Sequence, residues 1–92
     1  MIYVKSLSEN MVKVAISKWS SDEGNDEYIE INKGEVAQWD RSDQRGFLMS
    51  VVREDNISVL YSIKSDGYLI IYSNKVENNG SRIDSLYSIP SA

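Results

Sequence analysis

The chain of 92 residues has no cysteine and no histidine, and its one proline is Pro90. Without histidine there is no imidazole base, and with cysteine also missing the Ser-His-Asp and Cys-His nucleophiles and the usual zinc ligand sets are excluded. Small secreted domains are often stapled by disulfides, so the lack of cysteine leans towards a reducing compartment. There is no GxxxxGK[ST] phosphate loop. Residues Met1–Ser6 show no basic region leading into a long apolar run, so no signal peptide is visible. No apolar stretch approaches the roughly 18 residues needed to span a bilayer. These absences describe a soluble cytoplasmic protein, or one released by a route that leaves no visible signal.

Positive charge is scarce as well. Ten Lys and Arg stand against fourteen Asp and Glu, a net charge of −4. Binding to a nucleic-acid backbone needs clustered cations to displace counterions, so nucleic acid is excluded as a partner. Simple attraction to anionic lipid is disfavoured on the same ground. Neutral sugars, zwitterionic headgroups, other proteins and a second copy of the chain stay open. Among enzymes, a glycosidase working through two carboxylates alone stays formally open, but 92 residues of β-structure rarely enclose a deep cleft. A non-enzyme without cofactor or metal is therefore expected.

What is present is a period of two. Val12, Val14 and Ile16 alternate with Lys13, Ala15 and Ser17, and Ile29 and Ile31 alternate with Tyr28 and Glu30. Phe47, Met49 and Val51 alternate with Leu48, Ser50 and Val52; Ile57, Val59, Tyr61 and Ile63 alternate with Ser58, Leu60, Ser62 and Lys64. The first-named set of each strand is expected to face the core. Residues 68–73 are apolar on both faces, as a central strand would be, and Tyr68 and Tyr72 are expected to pack inwards with Ile70. Asp66-Gly67 and Asn79-Gly80 read as type I′ hairpin turns, whose two central residues need positive φ. No stretch has sustained helical spacing. The expectation is a single all-β domain over residues 1–92, an antiparallel β-sandwich of about eight short strands.

Two polar loops, each led by a tryptophan, lie between these segments. The first runs Trp19-Ser20-Ser21-Asp22-Glu23-Gly24-Asn25-Asp26-Glu27-Tyr28 and the second Trp39-Asp40-Arg41-Ser42-Asp43-Gln44-Arg45-Gly46-Phe47. Strand alternation puts loops 20–27 and 40–46 at one end of the molecule, together with Asp66-Gly67 and Asn79-Gly80. Trp19 has the parity opposite to Val12, Val14 and Ile16, so its indole points outwards or closes the end of the core. Trp39 has the parity of Ala37 and Arg41, which suits the core. Arg41, Asp43 and Arg45 interleave charges within five residues. They form either a clamp whose guanidinium forks grip a ligand's oxygens or a loop braced by its own ion pairs. The candidate ligand-binding set is Trp19, Asn25, Asp26, Trp39, Arg41, Asp43 and Arg45; no catalytic residue is assigned.

Residues 12–19, 28–35 and 39–47, with a strand ending in Trp19, a Gly34-Glu35 turn and an RSDxRGF-like segment from Arg41 to Phe47, resemble small β-sandwich haemagglutinins and cytolysin-type toxins of fungi and slime moulds. The likeness covers about half the chain and is one of layout. It implies a non-enzymatic protein that recognises surface glycans or membrane lipids. The expected function is thus a small lectin-like protein whose partner is a glycan or cell-surface ligand. A cytolysin-type module at a membrane surface and a protein-binding or inhibitory sandwich are the rivals.

The acidic run from Asp22 to Glu27 contains oxygen ligands of the kind calcium uses, but its spacing departs from the EF-hand pattern. A solvated loop is the reading adopted. Millimolar calcium should then leave the melting temperature unchanged; an upward shift that disappears in Asp26→Ala would identify a metal site, because binding to the native state alone must stabilise it.

Overall fold

A computed structural model describes residues 1–19 and 27–90. Among them are ten strands and no helix: β1 (Ile2–Ser6), β2 (Val12–Ile16), β3 (Ile29–Ile31), β4 (Val36–Trp39), β5 (Phe47–Val52), β6 (Ile57–Ile63), β7 (Tyr68–Ile71), β8 (Val76–Asn78), β9 (Ser81–Ile83) and β10 (Tyr87–Pro90). They form two five-stranded sheets, ordered β4-β1-β7-β8-β9 and β10-β6-β5-β2-β3. The all-β sandwich stands, with ten strands in place of eight.

The chain is not a simple meander. It changes sheet between β1 and β2, β3 and β4, β4 and β5, β6 and β7, and β9 and β10. One consequence corrects the expectation of wholly antiparallel pairing: β1 and β7 are parallel, with Tyr3 opposite Tyr68 and Ser6 opposite Ile71. Parallel neighbours require a crossover, and here the crossover runs through the other sheet. The remaining pairs are antiparallel.

Alternation fills the space between the sheets. Val12, Val14, Ile16, Ile31, Met49, Val51, Tyr61 and Ile63 are buried, and they face Ile2, Val4, Leu69, Ile71 and Val76 of the first sheet. Ile29 and Val59 are partly buried against this core. Ile57 departs from expectation. It has the inward parity but is the first residue of its strand, paired with Pro90 at the end of the edge strand, and it stays 38% exposed.

β7 is central in its sheet, as its two apolar faces imply, but its inward set is Leu69 and Ile71. Tyr68 is on the outside, where its ring stacks on Tyr3 at a centroid distance of 6.1 Å. The fully aliphatic side of the strand took the core and left Tyr68 outside, while Tyr72, just past the strand, is half-buried and its hydroxyl donates to Glu77.

The two hairpin signals also part company. Asn79 and Gly80 both have positive φ, 51° and 86°, and turn β8 into β9 as a type I′ hairpin requires. Asp66-Gly67 instead links the two sheets, and Gly67 is not among the positive-φ residues. Its glycine answers to space: a Cβ there would come within 3.0 Å of Asn78 Oδ1 and 3.4 Å of Leu69 Cδ1.

Ile63→Ala should cost about 2–4 kcal/mol, as for a fully buried isoleucine, while Ile57→Ala should cost less than about 1 kcal/mol. Chemical denaturation of the two variants checks the difference, and equal losses would reject the core assignment of β6.

Candidate functional site

Sheet directions bring several chain segments to one end of the sandwich. β2 ends there at Ile16, β4 ends there at Trp39, and β5 begins there at Phe47. The amino group of Met1 donates to Arg41 O and to Ser65 O, each at 3.0 Å. Tyr3 N donates to Gly67 O, and Asn79 N to Tyr68 O. The described flank of the first tryptophan-led loop, Ser17–Trp19, therefore meets the second loop. Residues 20–26, including the candidates Asn25 and Asp26 and most of the acidic run, lie outside the described residues. Among the described residues no group of three or more acidic, histidine or cysteine side chains is arranged to hold a metal.

Arg41 is the surprise of this end. Its side chain is 1% exposed. Nε donates to Ser17 O at 2.9 Å, one terminal nitrogen to Ile16 O at 3.0 Å and the other to Asp40 O at 3.2 Å. The guanidinium thus ties the segment after β4, in one sheet, to the end of β2 in the other. Trp39, in register with Ile2, is 3% exposed and belongs to the core. Both of these candidate side chains, Trp39 and Arg41, are turned into the protein, and neither lines the groove beside Trp19.

Asp43 and Arg45 form a braced turn. Asp43 Oδ1 accepts from Arg45 N at 2.8 Å, and its carboxylate accepts from Arg45 Nε and a terminal nitrogen, the shortest at 2.6 Å. Gly46 N closes the turn onto Asp43 O, and Gly46 itself has φ of 93°. The positive φ, with Ile63 O only 3.2 Å from where a Cβ would sit, explains why glycine stands there. Arg45's side-chain hydrogen bonds, then its backbone N–H, hold the Asp43 carboxyl below its ordinary value of 3.8. A lowered carboxyl stabilises the turn at all pH above its unfolded value, and the effect fades as pH falls through the folded one. Arg45 is exposed, with 60% of its side chain accessible against 17% for Asp43, so solvent screens the pair's contribution.

The same guanidinium lies over Trp19, 3.5 Å from the ring centroid, and Trp19 Nε1 donates to Gly46 O at 2.9 Å. Trp19 is half-buried and packs against the edge of the core. It is therefore both an end-closing residue and a surface one. One face of its indole is covered by Arg45, so it is no open stacking platform on that side.

Between this stack and the outer face of the second sheet is a groove of about 420 Å³. Trp19 and Arg45 line one side, Leu48 supplies carbon, and the hydroxyls of Ser17 and Ser62 line it too, with Lys18 nearby; Phe47 borders the groove but is turned into the core. Ser17 Oγ accepts from Leu48 N, which leaves its own hydrogen to donate outwards. Of the sequence candidates the groove gathers Trp19 and Arg45, with Asp43 bracing Arg45. Ser17, Leu48 and Ser62 were not singled out as candidates. The signal was Leu48, an outward-parity leucine that stays 40% exposed.

Replacing Arg41 by Met should destabilise the protein by about 3 kcal/mol or more, since it leaves the buried carbonyl of Ile16 and the partly buried carbonyl of Ser17 without their donor. Arg45→Met should cost less than about 1 kcal/mol. Urea denaturation at neutral pH separates the two, and a small effect at Arg41 would show that the tie between the sheets is dispensable. Compared with known proteins, the chain matches no protein-family model, no curated protein sequence and no solved structure.

Proposed function

We propose that the protein is a small non-enzymatic, lectin-like recognition module that takes a neutral glycan in the groove beside Trp19. The observation that carries this reading is the groove's mixture. Carbon surface from Trp19 and Leu48 lies next to the hydroxyls of Ser17 and Ser62 and the Arg45 fork. A sugar presents the complementary pattern, C–H faces interrupted by directional hydroxyls, and a site of several hundred Å³ is of the size that holds small ligands. The Asp43–Arg45 ion pair offsets the guanidinium's charge, which suits an uncharged ligand. The layout resemblance of residues 12–47 to small haemagglutinins points the same way.

The two tryptophans make the test direct. Trp39 is buried, so quenching by acrylamide reports mainly on Trp19. A glycan array should identify a neutral ligand, and that ligand should protect Trp19 from quencher and blue-shift its emission. Trp19→Ala should lose capture at least tenfold with an unchanged circular dichroism spectrum. An array with no hits, or a ligand whose binding survives Trp19→Ala, would reject the reading.

A further inference from the structure

Four strands lie at sheet edges: β4 and β9 in the first sheet, β10 and β3 in the second. Three of them are anchored in the core. β4 buries Trp39, β3 buries Ile31, and Ile83 of β9 is half-buried against the same cluster. β10 has no such anchor among its described side chains. Tyr87 is 53% exposed, Ile89 is 49% exposed, and Ser88 between them is exposed as well. The link from β9, residues 84–86, is exposed throughout.

What holds β10 is therefore its main-chain ladder to β6. Tyr87 is opposite Leu60, Ser88 opposite Val59, Ile89 opposite Ser58 and Pro90 opposite Ile57. Leu86 N donates to Leu60 O at 2.7 Å just before the strand. Pro90 has no N–H to add. Such edge bonds contribute little net stability, because water takes their place when the strand lifts away. Segments with few buried apolar contacts open separately, well before the rest of the fold.

We infer that β10 is a detachable strand that exchanges between copies of the chain, the β10 of one copy pairing with the β6 of another. The occupant follows from the register. Once β10 lifts, β6 presents a row of unpaired main-chain groups. The strand whose fit to that row is visible is β10 itself, and a second copy carries the same strand. Exchange of an identical element needs no new contact surface, which makes it a low-cost route to a pair. Charge does not oppose it, since neither Tyr87–Pro90 nor the paired residues Ile57–Leu60 include a charged side chain. The link favours it. Asp84-Ser85-Leu86 must carry the chain from the first sheet to the second. Packed sheets lie about 10 Å apart, and three residues span at most roughly 11 Å. The closed form leaves this link little slack, and short taut links invite exchange.

The proposal does not rest on the glycan reading. If both hold, an exchanged pair carries two grooves, and avidity follows from their linkage.

Hydrogen exchange of the wild type reads the detachment. The Leu86 amide, bonded in the closed form, should exchange at least about a hundredfold faster than the amides of β5. Thiol trapping reads the exchange between copies. The chain has no cysteine, so introduced thiols have no competitors. Chains carrying Tyr87→Cys, mixed with chains carrying Leu60→Cys, should oxidise to a mixed disulfide, because exchange sets those positions opposite each other. Tyr87→Cys mixed with Ser62→Cys, out of register on the same strand, should give at least about tenfold less. Should Leu60→Cys fail to fold, Ser58→Cys with Ile89→Cys, also opposite each other, takes its place. A Leu86 amide as slow as those of β5, or a mixed disulfide no more abundant in register than out of it, overturns the proposal.

Discussion

The buried guanidinium of Arg41 is the interaction on which this end of the molecule depends. A sandwich of two sheets holds together through apolar contact, which has no direction. Something must fix how the ends of the sheets meet, and Arg41 does so by donating from all three nitrogens to main-chain carbonyls, two of them beyond its own sheet. Arginine suits this task because its planar fork is pre-organised and stays charged. The turn braced by Asp43 and Arg45, the seat of Trp19 and the groove are all built on the two segments that Arg41 joins.

The opposite end has a looser counterpart. Arg53, just after β5 in the second sheet, donates to Tyr72 O and Lys75 O in the turn that follows β7 in the first. The direction of the tie is reversed: at one end the first sheet supplies the arginine, at the other the second does. Because main-chain carbonyls accept these bonds, the ties survive most side-chain changes around them. Surface charge can thus change at the loops without loosening the frame.

Much of the fold was legible because alternation is a local signal. β2, β5 and most of β6 show their inward sets directly, and the two-sided apolarity of residues 68–71 marks a central strand. What stayed hidden depends on partners distant in sequence. Nothing near Tyr3 says that it lies parallel to Tyr68. Nothing in Asp66-Gly67 distinguishes a hairpin from a link between sheets, since the close approach of Asn78 is set by tertiary packing. A strand apolar on both sides does not declare which side meets the other sheet, so the outward position of Tyr68 is set by packing rather than by pattern. At the candidate site, two arginines four residues apart take different partners: Arg45 braces its own turn through Asp43, and Arg41 ties into main-chain carbonyls. Arg41 sits on the inward parity shared with Trp39 and is buried, whereas Arg45 lies in a turn and remains exposed.

The parallel pairing of β1 with β7 governs the order in which the molecule can assemble. β5 and β6 are joined by a short turn and can zip together early, and β2 can add to them. β1 has no such local partner. One neighbour, β4, closes a loop of moderate length; the other, β7, is far away in sequence. Loop-closure entropy opposes that last step until non-local contacts offset it. β1 is thus among the last strands to find its place, and the first sheet closes over a second sheet already formed.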